Sequence, residues 1–172
     1  MNSFVKRAST KDLYKIAYAI MCLKTTSESI TTEEVKHYVD RCYYCEDRLG
    51  NIIAIVAAER IVFEYPSEVE GETIKTYPNK YRIKYMLYDA YAIKSMGEDP
   101  AELLREMVRE LTADMSDWTV SVNLSKLSKI SIDSEEDCKE TLKYALNSNG
   151  FRNMSDEDLM LRATPLNFDS FH

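Results

Sequence analysis

Apolar residues recur every three to four positions in some stretches of this chain and crowd together or alternate in others, and the two patterns divide it into elements. Phe4 to Ala8 reads as a short strand. Ser9 and Asp12 form a reciprocal helix start, with Asp where Glu or Gln is usual. Leu13, Ile16, Ala17, Ile20 and Met21 follow at helical spacing and share one face. After a polar connection, Thr25 to Ile30, the pair Thr31 and Glu34 opens a second helix with Val35, Tyr38, Val39 and Cys42 inward. Tyr43 to Arg48 is the first arm of a hairpin, Leu49-Gly50-Asn51 its turn, and Ile52 to Tyr65 a long second arm. Ile52 to Ala58 is apolar at every position, the mark of a strand covered on both faces.

Pro66 to Lys80 is an acidic excursion, either a long loop or a hairpin tip. Tyr81 to Lys94, rich in Tyr, Ile and Met, reads as a second long strand, and Ser95 to Asp99 as a short loop. Leu103, Leu104, Met107, Val108 and Leu111 make an apolar stripe on a helix from Pro100 to Met115. Trp118 to Leu124 is a strand with Trp118, Val120 and Val122 on one face, and Ser125 to Asp133 is irregular. Ser134 starts another helix, with Cys138, Leu142, Ala145 and Leu146 inward and Gly150 just past its end. Met154 to Ala163 holds the closing strands. This order predicts an α/β fold: a mixed central sheet, part antiparallel meander and part β-α-β crossover, with helices on both faces. One domain over 1–172 is expected, with a core at 4–163 and an unassigned tail at 164–172.

Composition narrows the function. The net charge is -7, from 22 basic and 29 acidic residues. A phosphate-backbone binder carries a basic stripe, so no nucleic-acid partner is expected. No apolar run approaches the roughly 20 residues of a membrane span, and the N-terminus lacks the plan of a signal peptide. A cytoplasmic setting with reduced thiols follows as the expectation for Cys22, Cys42, Cys45 and Cys138. Cys42 and Cys45 have CxxC spacing, but the only histidines, His37 and His172, do not complete a metal set, and no metal site is expected. The 12 tyrosines, among them Tyr81, Tyr85, Tyr88 and Tyr91, suit either half-buried strands or a contact surface.

Several local motifs fall in a familiar order. Ala8-Ser9-Thr10-Lys11-Asp12 follows the first strand, Glu46-Asp47-Arg48-Leu49-Gly50-Asn51 turns into an apolar strand, and Gly150-Phe151-Arg152 ends the last helix. Over most of 4–163 the chain resembles the GNAT N-acyltransferases. The resemblance implies transfer of an acetyl group from acetyl-CoA to an amine, borne by a small molecule or a protein. It implies that the backbone of Tyr91, Ala92 and Ile93 orients the pantetheine arm. It also implies that Lys94, Ser95, Met96 and Gly97, with Arg105, meet the pyrophosphate by the rule for anions at helix N-termini.

That family carries Gln/Arg-x-x-Gly-x-Gly/Ala at this turn. Counting back from Leu103, the two small positions are Glu98 and Pro100, and Gly97 is displaced by one. Asp99, Pro100 and Glu102 instead spell a self-capped helix start. The tyrosine that many members use to protonate the departing thiolate falls at Leu146. Tyr144 is the nearest candidate acid, about 200° around the helix. Asp89 is the leading candidate base, with Glu64 and Glu59 behind it. The alternative is a non-catalytic protein of the same fold that binds a protein partner or a second copy of itself, for example a phage assembly or virion component.

Overall fold

The computed structural model describes residues 5–24, 29–76, 80–113, 115, 119–127, 135–154 and 158–162. The expectations for Phe4, Thr25, Pro78, Trp118, Ser134 and the tail 164–172 lie outside the described residues.

β1 (Val5–Arg7) leads into a 3-10 turn over Thr10–Asp12 and then α1 (Leu13–Lys24). The capping box forms: the Asp12 carboxylate accepts from the Ser9 amide at 2.9 Å while the Ser9 hydroxyl oxygen accepts from the Lys11 amide. α2 (Thr32–Lys36) is shorter than its apolar pattern suggests and gives way to a second 3-10 turn, Val39–Arg41. Val35, Tyr38, Val39 and Cys42 are nonetheless all buried, because the turn carries the inward face on into β2 (Cys42–Glu46). The hairpin then passes through Gly50, at φ +83°, into β3 (Ile52–Arg60).

The long second arm divides. β3 ends at Arg60, and Phe63–Pro66 (β4) pairs with Thr73–Thr76 (β5) in a separate two-stranded ribbon. The acidic excursion is thus a hairpin tip. The chain returns as β6 (Lys80–Tyr88), antiparallel to β3. Here the structure corrects the expected strand over Tyr81 to Lys94. It stops at Tyr88, and Ala90–Ser95 forms a short helix, α3. The cause is local: the Asp89 carboxylate accepts from the Ala92 amide at 3.0 Å and caps the turn. Gly97, at φ +80°, closes α3 by letting the Glu98 amide reach the Ile93 carbonyl at 3.2 Å and the Gly97 amide the Lys94 carbonyl at 2.9 Å.

α4 (Pro100–Thr112), β7 (Thr119–Asn123), α5 (Glu135–Asn147), β8 (Arg152–Asn153) and β9 (Leu159–Arg162) complete the chain. The main sheet has the order β1-β2-β3-β6-β7-β9-β8, with β6 and β7 parallel and its other neighbours antiparallel. Ile53 to Ala58 of β3 is buried throughout, which takes cover on both faces, and α1 and α4 both pack on this strand. Leu103, Leu104, Met107, Val108 and Leu111 of α4 are each at most 2% exposed, and burying such a side chain contributes about 2 kcal/mol. No helix among the described residues is long and apolar enough to cross a membrane.

Candidate functional site

Two features of β6 define the candidate site. β6 and β7 pair in parallel only from Lys80↔Thr119 to Arg82↔Ser121. β6 runs on to Tyr88 and β7 to Asn123 with no further pairing between them among the described residues. The two strands therefore part, and the edge of β6 from Ile83 onward has no β7 partner among the described residues. On its other side β6 is bulged: Ala57 pairs with Tyr85 and Ala58 with Ile83, so Lys84 is the extra residue. A bulge re-aims backbone groups locally and recurs beside functional sites.

β6 leads through α3 into the turn before α4, and several amides there are already spent. The amides of Met96, Gly97 and Glu98 close α3. The Glu102 amide donates to the Asp99 carboxylate at 3.1 Å, the Leu103 amide to the Asp99 carbonyl at 2.9 Å, and Pro100 has no N–H. The groove beside α4, about 290 Å³, is lined by Lys94, Asp99, Pro100, Ala101, Asp137, Glu140 and Thr141, three carboxylates against one ammonium. Arg105 is held by Glu102 at 2.8 Å and Glu106 at 3.2 Å. A diphosphate at this turn would face acids and find few amides to accept from.

The other expected residues are placed as follows. Tyr91, Ala92 and Ile93 lie in α3, not on an extended strand, and the amides of Ala92 and Ile93 donate to Asp89. Tyr91 is 75% exposed and Ile93 fully buried. Lys94 and Ser95 are exposed at the end of α3, the Ser95 hydroxyl donating to the Tyr91 carbonyl at 2.9 Å. Leu146 is buried in the core. Tyr144 projects from the outer face of α5 and donates to the Glu102 carboxylate across to α4. That bond raises the phenol pKa and, with Arg105, holds the Glu102 carboxyl below its usual range. Tyr144 is thus tied to the first turn of α4, away from the inward face of α5. Asp89 is the α3 cap, Glu59 pairs with Arg82 at 2.6 Å, and Glu64 pairs with Lys75 at 3.4 Å on the ribbon. The sequence reading passed over Lys84. Its signal was a lone cation inside the run Ile83-Lys84-Tyr85-Met86-Leu87.

No protein-family profile matches this sequence, and no curated protein matches it. Solved structures do. Naa20 of Chaetomium thermophilum, solved with a bisubstrate analogue, is similar at 16% identity and TM-score 0.52, over 98% of this chain and 90% of that one. A GNAT-superfamily phosphinothricin acetyltransferase of Sinorhizobium meliloti, solved with AcCoA, is similar at 13% identity and TM-score 0.52, over 94% and 88%. At such identities the likeness speaks for the fold alone. With its seven-stranded mixed sheet and this likeness over nearly its whole length, this chain has the GNAT fold.

Proposed function

We propose that this chain is an N-acyltransferase of the GNAT type, transferring an acyl group from an acyl-CoA directly to an amine on a small molecule or protein. The observation that carries this reading is the parting of β6 from β7 beyond Arg82 and Ser121, which leaves a strand edge able to hydrogen-bond the amide-bearing arm of such a donor. The solved neighbours that contain AcCoA or a bisubstrate analogue support the same donor class. The residues of the β6 edge, Ile83 to Tyr88, would hold the arm. Lys94 and Ser95 at the end of α3 are the polar groups nearest in sequence to the turn where the diphosphate would rest.

A specific observation favours a second reading, a GNAT fold kept without its cofactor. Asp99 caps α4 with its own carboxylate, and Glu98, Glu102 and Pro100 surround it. Calorimetric titration with acetyl-CoA separates the two on the wild-type protein and on Asp99→Ser. Serine keeps the cap and removes the charge. Acyl transfer predicts saturable binding to the wild type, at least about tenfold tighter in Asp99→Ser, and weakened in Gly97→Asp. It also predicts release of free thiol when amines are added. Absence of binding at millimolar acetyl-CoA in both the wild type and Asp99→Ser leaves the second reading alone.

A further inference from the structure

The β4–β5 ribbon sorts its side chains by face. Phe63 stands opposite Thr76 and Tyr65 opposite Ile74, so these four share one face, while Glu64 opposite Lys75 and Pro66 opposite Thr73 share the other. The polar face is satisfied by an ion pair, Lys75 Nζ to Glu64 at 3.4 Å. The apolar face is uncovered: Phe63, Tyr65 and Ile74 are all exposed, and none packs into the core. Neither strand pairs with a third strand among the described residues, so the outer edges of the ribbon carry backbone groups with no ladder to join. Two strands alone are marginal in water, and a third strand or a packing surface is what steadies them.

Charge says what kind of strand fits. From 62 to 76 the chain carries Glu64, Glu68, Glu70 and Glu72 against one cation, Lys75. Glu68, Glu70 and Glu72 are exposed at the tip and make no ion pair among the described residues. The tip that presents them is a built turn: the Ser67 amide donates to the Glu72 carbonyl at 3.0 Å and the Val69 amide to the Ser67 hydroxyl oxygen at 3.2 Å. A second copy would bring the same excess of carboxylates on a chain whose net charge is -7, so like charge opposes it, and a nucleic acid is opposed in the same way. A cationic strand is attracted.

We infer that the β4–β5 ribbon is a docking surface for an extended segment of another protein, rich in Lys or Arg with apolar residues at alternate positions. The segment adds as a third strand. Its backbone bonds the open edge of the ribbon, its apolar side chains extend the face of Phe63, Tyr65 and Ile74, and its cations answer the carboxylates of the tip. The ribbon leaves the main sheet where the Ile61 amide donates to the Lys80 carbonyl at 2.9 Å, at the end of β6 opposite α3. Docking there leaves the turn before α4 free, so the surface stands whether or not an acyl-CoA binds.

An amide chemical-shift titration of the labelled full chain, with no acyl-CoA present, tests this with a blocked short peptide alternating lysine and valine. Saturable shifts are expected over 62–76, weakening as salt is added because the tip is exposed. Peptides alternating glutamate with valine, or lysine with serine, are expected to bind at least about tenfold more weakly. Combined Glu68→Gln, Glu70→Gln and Glu72→Gln, which removes charge at exposed positions, should weaken the lysine–valine peptide at least about tenfold. Tyr65→Thr, which keeps a β-former and removes the ring, should weaken it as well. The inference is overturned by no saturable shift over 62–76 at millimolar peptide, by an equal response to the glutamate–valine peptide, or by unchanged affinity in the triple variant. It is also overturned if sedimentation shows the chain alone self-associating and Tyr65→Thr abolishes that, which would give the face to a second copy. Because the titration contains no acyl-CoA, its outcome is independent of the calorimetric one.

Discussion

At the scale of single residues, position decides which charges act. Glu46 closes β2, and its carboxylate accepts from Lys15 at 2.9 Å and Lys6 at 3.1 Å while its side chain is only 13% exposed. Burial pushes its pKa up, the two lysine bonds push it down further, and the result lies below the ordinary 4.5. A carboxyl whose folded pKa is depressed stabilises the protein above its unfolded pKa, and that stabilisation is lost as pH falls through the folded value. Glu46→Gln should therefore lower stability at neutral pH by less than about 1 kcal/mol and flatten the fall of the unfolding midpoint on acidification below the carboxylate range. Melts across a pH series check both, and an unchanged acid limb would remove Glu46 from the account. The same scale holds what was most legible in sequence. Ser9 with Asp12, Thr31 with Glu34, and Asp99 with Glu102 all cap as their spacing predicts, because a cap needs only neighbours along the chain.

At the scale of elements, β2 explains the CxxC. Cys42 and Cys45 are three residues apart on one strand, so alternation sends them to opposite faces, and both are buried. Burial raises the Cys42 thiol to about 12 and the Cys45 thiol to about 11. Neither forms a useful thiolate at neutral pH. Timed alkylation of the native protein read by mass spectrometry should label exposed Cys22 first and half-buried Cys138 more slowly. Cys42 and Cys45 should be labelled only as fast as the chain unfolds. Early labelling of Cys42 would contradict this picture of β2. The elements also show where sequence reading overran. Tyr81 to Tyr88 has the β-formers of a strand, but beyond it Asp89 caps, and Gly97 closes, a helix over Ala90–Ser95. Ala90, Ala92 and Lys94 between them also suit a helix, and the two punctuating residues set its ends.

At the scale of the whole molecule, the β4–β5 ribbon stands apart from the main sheet. Phe63 and Tyr65 of β4 and Ile74 of β5 are each over 40% exposed, and none belongs to the core. Two strands alone are marginal in water. Replacing the ribbon with a short turn between Ile61 and Lys80 should leave stability within about 0.5 kcal/mol of the parent, measured by urea unfolding. A larger loss would mean that the ribbon supports the sheet.

Sequence alone determined most of the succession of elements, though not α3 or the break between β3 and β4, together with the caps at Ser9, Thr31 and Asp99, the doubly covered strand β3 and the apolar face of α4. Each of these is set by spacing along the chain. The register with its bulge at Lys84, the parting of β6 from β7, and the meeting of Lys24, Tyr38, Lys84 and Tyr85 were decided only by the tertiary structure. Those features depend on how strands distant in sequence pair and how helices settle on them, and no periodicity within one segment encodes that.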